Sequence, residues 1–384
     1  MPASSPPLHW DIFCHVIDNY GDVGVCWRLA RQLAGKYDFT VRLWIDNLAV
    51  FQQLCPAVRQ DQSKQIVERI EVRLWPIDFT GIEPGDIVVE SFACQLPECF
   101  ERAMAERQPS PVWINLDYLS AEPWVSEYHK LPSPHPQLPL VKYFFFPGFS
   151  EATGGLLREN DLIERWQTFA EQTSMRDQFL ATLGITLPSS DTLMVSLFSY
   201  ENPTLADLLN AWAGGDRAIC CLSALTTQQA DLEQFFGQTL HTGDTVRKGC
   251  LEMKIIPFVS QADYDKLLWS CDINFVRGED SFVRAQWAAH PMIWQIYPQN
   301  ENAHHVKLSA FLDLYGAGLP EATAQTIRTF FRAWNGDGRI TRELCGRWLD
   351  ELPELRLHAG AWQKKLLEQQ DLCRQLVQFA RSKL

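Results

Sequence analysis

Residues 10–37 read WDIFCHVIDNYGDVGVCWRLARQLAGKY, and this stretch decides the fold. WDIFCHVI is a short apolar run of the length and composition of a buried strand. DVGVCWRLARQLAGKY then places Val23, Trp27, Ala30 and Ala34 at helical spacing. A strand turning directly into an amphipathic helix begins a strand–helix–strand unit, the building block of a parallel sheet covered by helices. The turn itself is chemically odd. It carries two aspartates, Asp18 and Asp22, around Gly21, where a phosphate-binding turn would keep only glycines.

Outward from this stretch the alternation continues. VRLWID, IEVRLW, DIVVESF and VWINLD are rich in β-branched and aromatic residues, with helical patterns such as LAVFQQLC and PECFERAMAER between some of them. The segment 117–150 is dense in proline and aromatics. It is expected to be an ordered, functional loop region without a regular element, and Trp124 and Tyr128 within it suit a docking surface. A second alternation starts near Leu193, with LMVSLFSY, AICCLSA, LEMKIIPF, DINFVRG and PMIWQIY as strands and PTLADLLNAWAG and SQADYDKLLWSC as helices. The chain has 384 residues, which favours two domains, because single cores stop growing near ~250–300 residues. The expected organisation is a Rossmann-like domain over 1–155, a helical connector over 156–190 and a second Rossmann-like domain over 191–360. A C-terminal helix over 361–384 would pack back on the first domain. Two such domains facing one another would place a site in the cleft between them, outside the carboxyl ends of the strands.

Composition narrows the function classes. A formal net charge of −13 argues against a duplex-DNA binder, which needs a basic face. No apolar run approaches the ~18–20 residues that cross a bilayer, and MPASSPPLHW lacks the basic start and apolar stretch of a signal peptide. The eleven cysteines are scattered through apolar segments such as DIFCHV and AICCLSA without zinc-knuckle spacing, the pattern of buried reduced thiols. A cytoplasmic protein without nucleic-acid or membrane partners is expected.

The acid turn admits more than one reading. Asp22 can cap the helix amides and complement its dipole, and Asp18 and Asn19 can bond the local backbone of a turn. Gly21 leaves room for a close approach or permits a positive φ. Two carboxylates at one turn can also hold a cation, share a proton or orient a basic substrate. No G-x-G-x-x-G follows the first strand and no G-x-x-x-x-G-K-[ST] occurs, so a nucleotide belongs in the second domain. There, Ser260 and Asp263 have capping-box spacing, with Phe258 and Gln261 at the same helix start. Phe258 offers either core packing or a face for a nucleobase. Arg277, Glu279, Asp280 and Ser281 crowd a glycine turn that opens another helix, either as a cap or as an anion site beside groups for ribose hydroxyls. Phe198, Tyr200 and Tyr297 end further strands of that domain.

WDIFCHVIDNYGDVGVCWRLARQLA, NLDYLSAEPWV, LPSPHP, KYFFFPGFSEATGGLLRE and RGEDSFVRAQWA, in that order along nearly the whole chain, resemble the EarP family of arginine rhamnosyltransferases, which modify translation elongation factor P. The resemblance implies an α/β fold of the GT-B glycosyltransferase type. It further implies an inverting, metal-independent transfer of rhamnose from dTDP-β-L-rhamnose, without a cofactor, to one arginine of the acceptor protein. On it, Asp22 is the candidate base, Asp18 its acidic partner, and Glu279 lies near the reacting centre. Asn19, Tyr20 and Gly21 would line the sugar and pyrophosphate. Tyr200, Phe258 and Gln261 would hold the nucleotide, and Arg277, Asp280 and Ser281 the diphosphate and ribose, with Phe198 and Tyr297 beside them. The competing readings are a phosphatase-like hydrolase using Asp18 and Asp22, and a non-catalytic nucleotide-sugar sensor that binds a translation factor.

Overall fold

Strand β1 (His9–Cys14) is buried from Trp10 onward, with Ile12 and Phe13 fully inside. A strand covered on both faces has no reason to alternate with polar residues, which is why WDIFC is apolar but for Asp11, whose buried carboxylate accepts two bonds from Arg42. The computed structural model describes residues 7–186, 189, 191–299 and 303–384. The opening MPASSP, and Leu187, Pro188 and Ser190 of the expected connector, lie outside the described residues. Two compact units emerge: Met1–Asn160 with Glu368–Leu384, and Asp161–Leu367.

In the first unit, β1 is followed by the helix Tyr20–Tyr37 and then by β2 (Thr40–Ile45), β3 (Lys64–Val67), β4 (Ile70–Leu74), β5 (Ile87–Ser91), β6 (Val112–Leu116), β7 (Pro132–Pro134) and β8 (Val141–Phe145). They form an eight-stranded sheet in the order β3-β4-β2-β1-β5-β6-β8-β7. Only the edge strands β3 and β7 run antiparallel to their neighbours. The parallel strands build outward from β1 on one side and from β5 on the other, the Rossmann arrangement, whose topological switch point lies between β1 and β5. Phe13, Trp44, Val88 and Trp113 from four strands pack with Phe100 and Met104 of the helix Glu98–Glu106. Phe13 meets Phe100 edge-on at 4.9 Å and lies parallel to Trp44 at 5.7 Å. Each such fully buried side chain contributes roughly 1.5–3 kcal/mol relative to exposure.

The second unit repeats the scheme with β9 (Leu193–Leu197), β10 (Ile219–Ala224), β11 (Thr245–Lys248), β12 (Leu251–Ile256), β13 (Ile273–Arg277) and β14 (Met292–Gln295), ordered β11-β12-β10-β9-β13-β14. Only β11, at the edge, is antiparallel, and the switch point falls between β9 and β13. Arg284 and Asp265 form a buried two-point pair, with N–O distances of 2.8 and 2.7 Å, joining the helices Asp280–Ala288 and Gln261–Ser270. No helix among the described residues is long and apolar enough to cross a membrane.

Two expectations are corrected. The segment 117–150 is not free of regular structure, for it contains the helix Trp124–Tyr128, β7 and β8. Strand β8 forms because β6 offers it a partner, Trp113 opposite Lys142 through Leu116 opposite Phe145. Proline ends β7 at both sides because an edge strand has backbone positions that need no N–H donor. Nor is 361–384 one helix. The helix Leu352–Leu367 stops, and Asp371 caps a separate helix, Leu372–Arg381, by accepting the Arg374 amide at 2.9 Å. The intervening strap is tied to the first unit. The Leu372 amide donates to the Leu156 carbonyl at 3.0 Å, Gln32 donates to Asp371 at 3.0 Å, and at Gly155 (φ +72°) any Cβ would overlap the Gln370 carbonyl.

Candidate active site

The acid loop leaves the carboxyl end of β1 at the switch point of the first unit. Its backbone is held by carboxylates. The Val16 amide donates to Asp46 at 2.9 Å, and the amides of Ile17 and Asp18 donate to Oδ2 of Asp22 at 2.9 and 2.7 Å. Asp22 is thus the third residue of its helix and caps the loop before the helix rather than the helix itself. Asn19 occupies the N-cap position with φ 33° and ψ −98°, and its side chain makes no capping bond. Positive φ outside the ordinary left-handed well is strained backbone, held here by the bonds on either side. Gly21 does not have positive φ. Its missing side chain serves Asp18, since a Cβ there would overlap the carboxylate oxygen of Asp18 and lie 3.0 Å from its Cγ. The Tyr20 hydroxyl donates to Gln53.

Both carboxylates are sequestered: Asp22 is 1% exposed and Asp18 is 6% exposed. Burial raises the Asp22 carboxyl above its ordinary range, and the charge of Asp46 adds to this. The amide bonds from Asp18 and Ile17, and a 3.2 Å bond from the Tyr118 hydroxyl to Oδ1, pull the other way without reversing it. Ile17, between the two acids and the strand, presents an apolar side chain that is 53% exposed.

In the second unit the remaining candidates gather at strand ends. Arg277 ends β13, and its guanidinium lies 4.4 Å from both the Phe198 and Tyr200 rings while Nη1 donates to the Ser199 carbonyl at 3.1 Å. Tyr297 meets Tyr200 edge-on at 5.6 Å. The Ser281 hydroxyl closes the glycine turn, accepting the Arg277 amide at 3.0 Å and donating to the Arg277 carbonyl. Glu279 is the N-cap residue of the helix Asp280–Ala288, and Asp280 accepts from Gln261 at 3.0 Å, tying two helix starts together. Ser260 caps Asp263 as its spacing predicts. Phe258 is half-buried, outside the core. Among the described residues no group of three or more His, Cys, Asp or Glu is arranged to hold a metal ion.

The family model for the elongation factor P (EF-P) rhamnosyltransferase EarP matches residues 10–381. The chain belongs to the EarP family. It is therefore an enzyme of the glycosyltransferase class, and not the phosphatase-like hydrolase or the non-catalytic sensor. A protein-arginine rhamnosyltransferase of Pseudomonas putida is 47% identical over 379 residues, covering 98% of this chain and 99% of the relative. A solved structure describing EarP-mediated arginine glycosylation of translation elongation factor EF-P is 36% identical with a TM-score of 0.71, covering 98% of this chain and 100% of that one. A UDP-glucosyltransferase from Polygonum tinctorium shares the fold alone, at 10% identity, TM-score 0.54 and 99% coverage of both chains. The architecture is accordingly of the GT-B glycosyltransferase type.

Two partners of the acid loop are missing from the sequence candidates. Asp46 and Tyr118 follow β2 and β6, and so lie with the acid loop along the carboxyl edge of one sheet. Position within a few residues of a strand's carboxyl end, the same signal that selects Asp18, finds both once the strands are ordered.

Proposed function

We propose that this chain transfers L-rhamnose from dTDP-β-L-rhamnose to a guanidine nitrogen of one arginine of translation elongation factor P, with inversion at the sugar. The observation that carries the proposal is a family match running from β1 to the last helix. The acid loop supports it chemically. A guanidinium is protonated at neutral pH and is a poor nucleophile, so it must be oriented and must give up a proton as it attacks. Asp18 and Asp22 would bond its fork of N–H groups. A guanidine nitrogen forms a bond to the anomeric carbon as the carbon–oxygen bond to the diphosphate breaks. The electron pair leaves with dTDP, the nitrogen's proton passes to Asp22, and the modified guanidinium keeps its positive charge. The raised pKa of Asp22 makes its carboxylate a stronger proton acceptor than an exposed aspartate.

On the donor side Tyr200, Phe258 and Gln261 would hold the nucleotide, the half-buried Phe258 by stacking on thymine. Arg277 and the N-terminus of the helix Asp280–Ala288 would stabilise the diphosphate, and Asp280 and Ser281 the ribose side. Because the Ser281 hydroxyl is engaged by the turn, its contribution is to hold backbone amides in place. Glu279 would stand near the reacting centre, with Phe198 and Tyr297 lining the nucleotide pocket and Asn19, Tyr20 and Gly21 lining the sugar. An acceptor that works in translation makes the reaction cytoplasmic.

Intact-mass analysis tests the proposal. Elongation factor P incubated with the enzyme and dTDP-rhamnose should gain one deoxyhexose on a single arginine, and Asp22→Asn should abolish the gain. Saturable donor binding without any gain on a competent acceptor would refute it.

A further inference from the structure

We propose that Tyr118 is a positioning residue for Asp22, fixing the direction from which its carboxylate receives a proton. The inference rests on the reading of Asp22 as the base. Oδ2 of Asp22 is occupied by the amides of Ile17 and Asp18, at 2.9 and 2.7 Å, while Oδ1 accepts, among the described residues, the Tyr118 hydroxyl at 3.2 Å. A carboxylate oxygen has two lone pairs. Oδ1 therefore keeps one acceptor position, and the hydroxyl on its other lone pair determines where that position points.

Tyr118 is itself held from several sides. Its ring stacks on Phe92 at 4.5 Å with 19° between the planes, and Phe92 is 6% exposed. Its amide donates to Asp117 at 2.8 Å, the Asp117 amide donates to Phe145 of β8 at 2.9 Å, and the Phe92 amide donates to Leu116 of β6 at 2.7 Å. Phe92 and Ala93 adopt φ of 57° and 52°, a conformation that costs energy for residues with a side chain. The strained turn after β5 thus presents the ring against which Tyr118 lies, at the same switch point as the acid loop.

The titratable groups facing Asp22 come from several elements. Asp18 lies on its own loop, Cys14 ends β1 beside Cys26 of the helix, and Asp46, paired with His15 at 2.9 Å, follows β2. Tyr118 follows β6. Of these, Tyr118 is the group whose side chain bonds the Asp22 carboxylate directly. Tyr118→Phe keeps the ring and its stack on Phe92 while deleting the hydroxyl that bonds Asp22.

The experiment is the pH dependence of kcat/KM for rhamnosylation of elongation factor P, measured on the full chain for wild type, Tyr118→Phe and Asp22→Asn. Losing a donor to the carboxylate should move the acid limb of the Tyr118→Phe profile upward by about half to one pH unit. The plateau above the limb should fall several-fold from lost orientation. A limb that stays in place, whatever the plateau, overturns the inference, since a purely structural tyrosine lowers activity at every pH alike. An inactive Asp22→Asn beside an unmoved Tyr118→Phe limb overturns the role of Tyr118 alone. An active Asp22→Asn overturns the base assignment and the inference with it.

Discussion

Replacing Asp22 in two ways separates its chemistry from its structural work. Asp22→Asn keeps one carbonyl oxygen for the Ile17 and Asp18 amides, and its NH2 group faces a Tyr118 hydroxyl that can turn and accept. The variant also removes a charge that burial disfavours. It should therefore fold at least as stably as wild type. The pH dependence follows from the raised native pKa. Below the ordinary aspartate range both proteins carry a neutral group, folded or unfolded, whereas ionisation costs wild type stability as the pH rises from that range through the raised native value, so the Tm advantage of Asp22→Asn should grow with pH above the ordinary range. Asp22→Ala instead leaves three donors without their acceptor. A buried donor left unmet costs about 1–3 kcal/mol. The Asp18 amide is the most enclosed of the three, and loss of the buried charge offsets part of the cost. A net loss of roughly 1–3 kcal/mol corresponds to a Tm lower by about 2–10 °C. In the mass assay both variants should lose turnover by about 10²–10⁴-fold, the usual contribution of a general base. The reasoning is refuted if Asp22→Asn turns over within tenfold of wild type with unchanged donor affinity, or if Asp22→Ala melts at the same temperature as Asp22→Asn.

Two further outcomes test the neighbouring geometry. Gly21→Ala places a Cβ against the carboxylate of Asp18, so kcat should fall by about tenfold or more while Tm changes little, since a side-chain end must move and no backbone need do so. An unchanged kcat would show that the Asp18 orientation is immaterial. Arg277→Lys replaces a flat cation lying 4.4 Å from two rings by a compact ammonium, which should weaken calorimetric dTDP binding by about tenfold and lower Tm by a few degrees. Equal binding by the two proteins would remove Arg277 from the donor site.

Much of the fold is legible because parallel strands buried on both faces are predominantly apolar. WDIFC, DIVVES and VWINL read as strands without any neighbour in view. The edges are not legible in this way. KQIV of β3 and TVRK of β11 are short and half-polar, and PSP of β7 contradicts every strand propensity, yet each pairs antiparallel with a strand already in place. The same applies at the C-terminus. LLEQQDLCRQL keeps a helical pattern across its break, and only the strap onto the first unit explains why Asp371 caps a new helix.

The acid loop is legible by its chemistry, because two aspartates and a glycine exceed what a helix start requires. Its partners are not. Tyr118 lies 96 residues from the carboxylate it bonds, and the Asp46 carboxylate that holds the Val16 amide is 30 residues away. The sequence alone determined the alternating elements, the two-part organisation and the unusual carboxylates, since each depends on residues within one or two turns of chain. The tertiary structure decided the strand order, the reason for Gly21 and the surroundings of Asp22. Those depend on which strand ends share one edge of a sheet, and burial and hydrogen bonding across that edge have no local pattern to announce them.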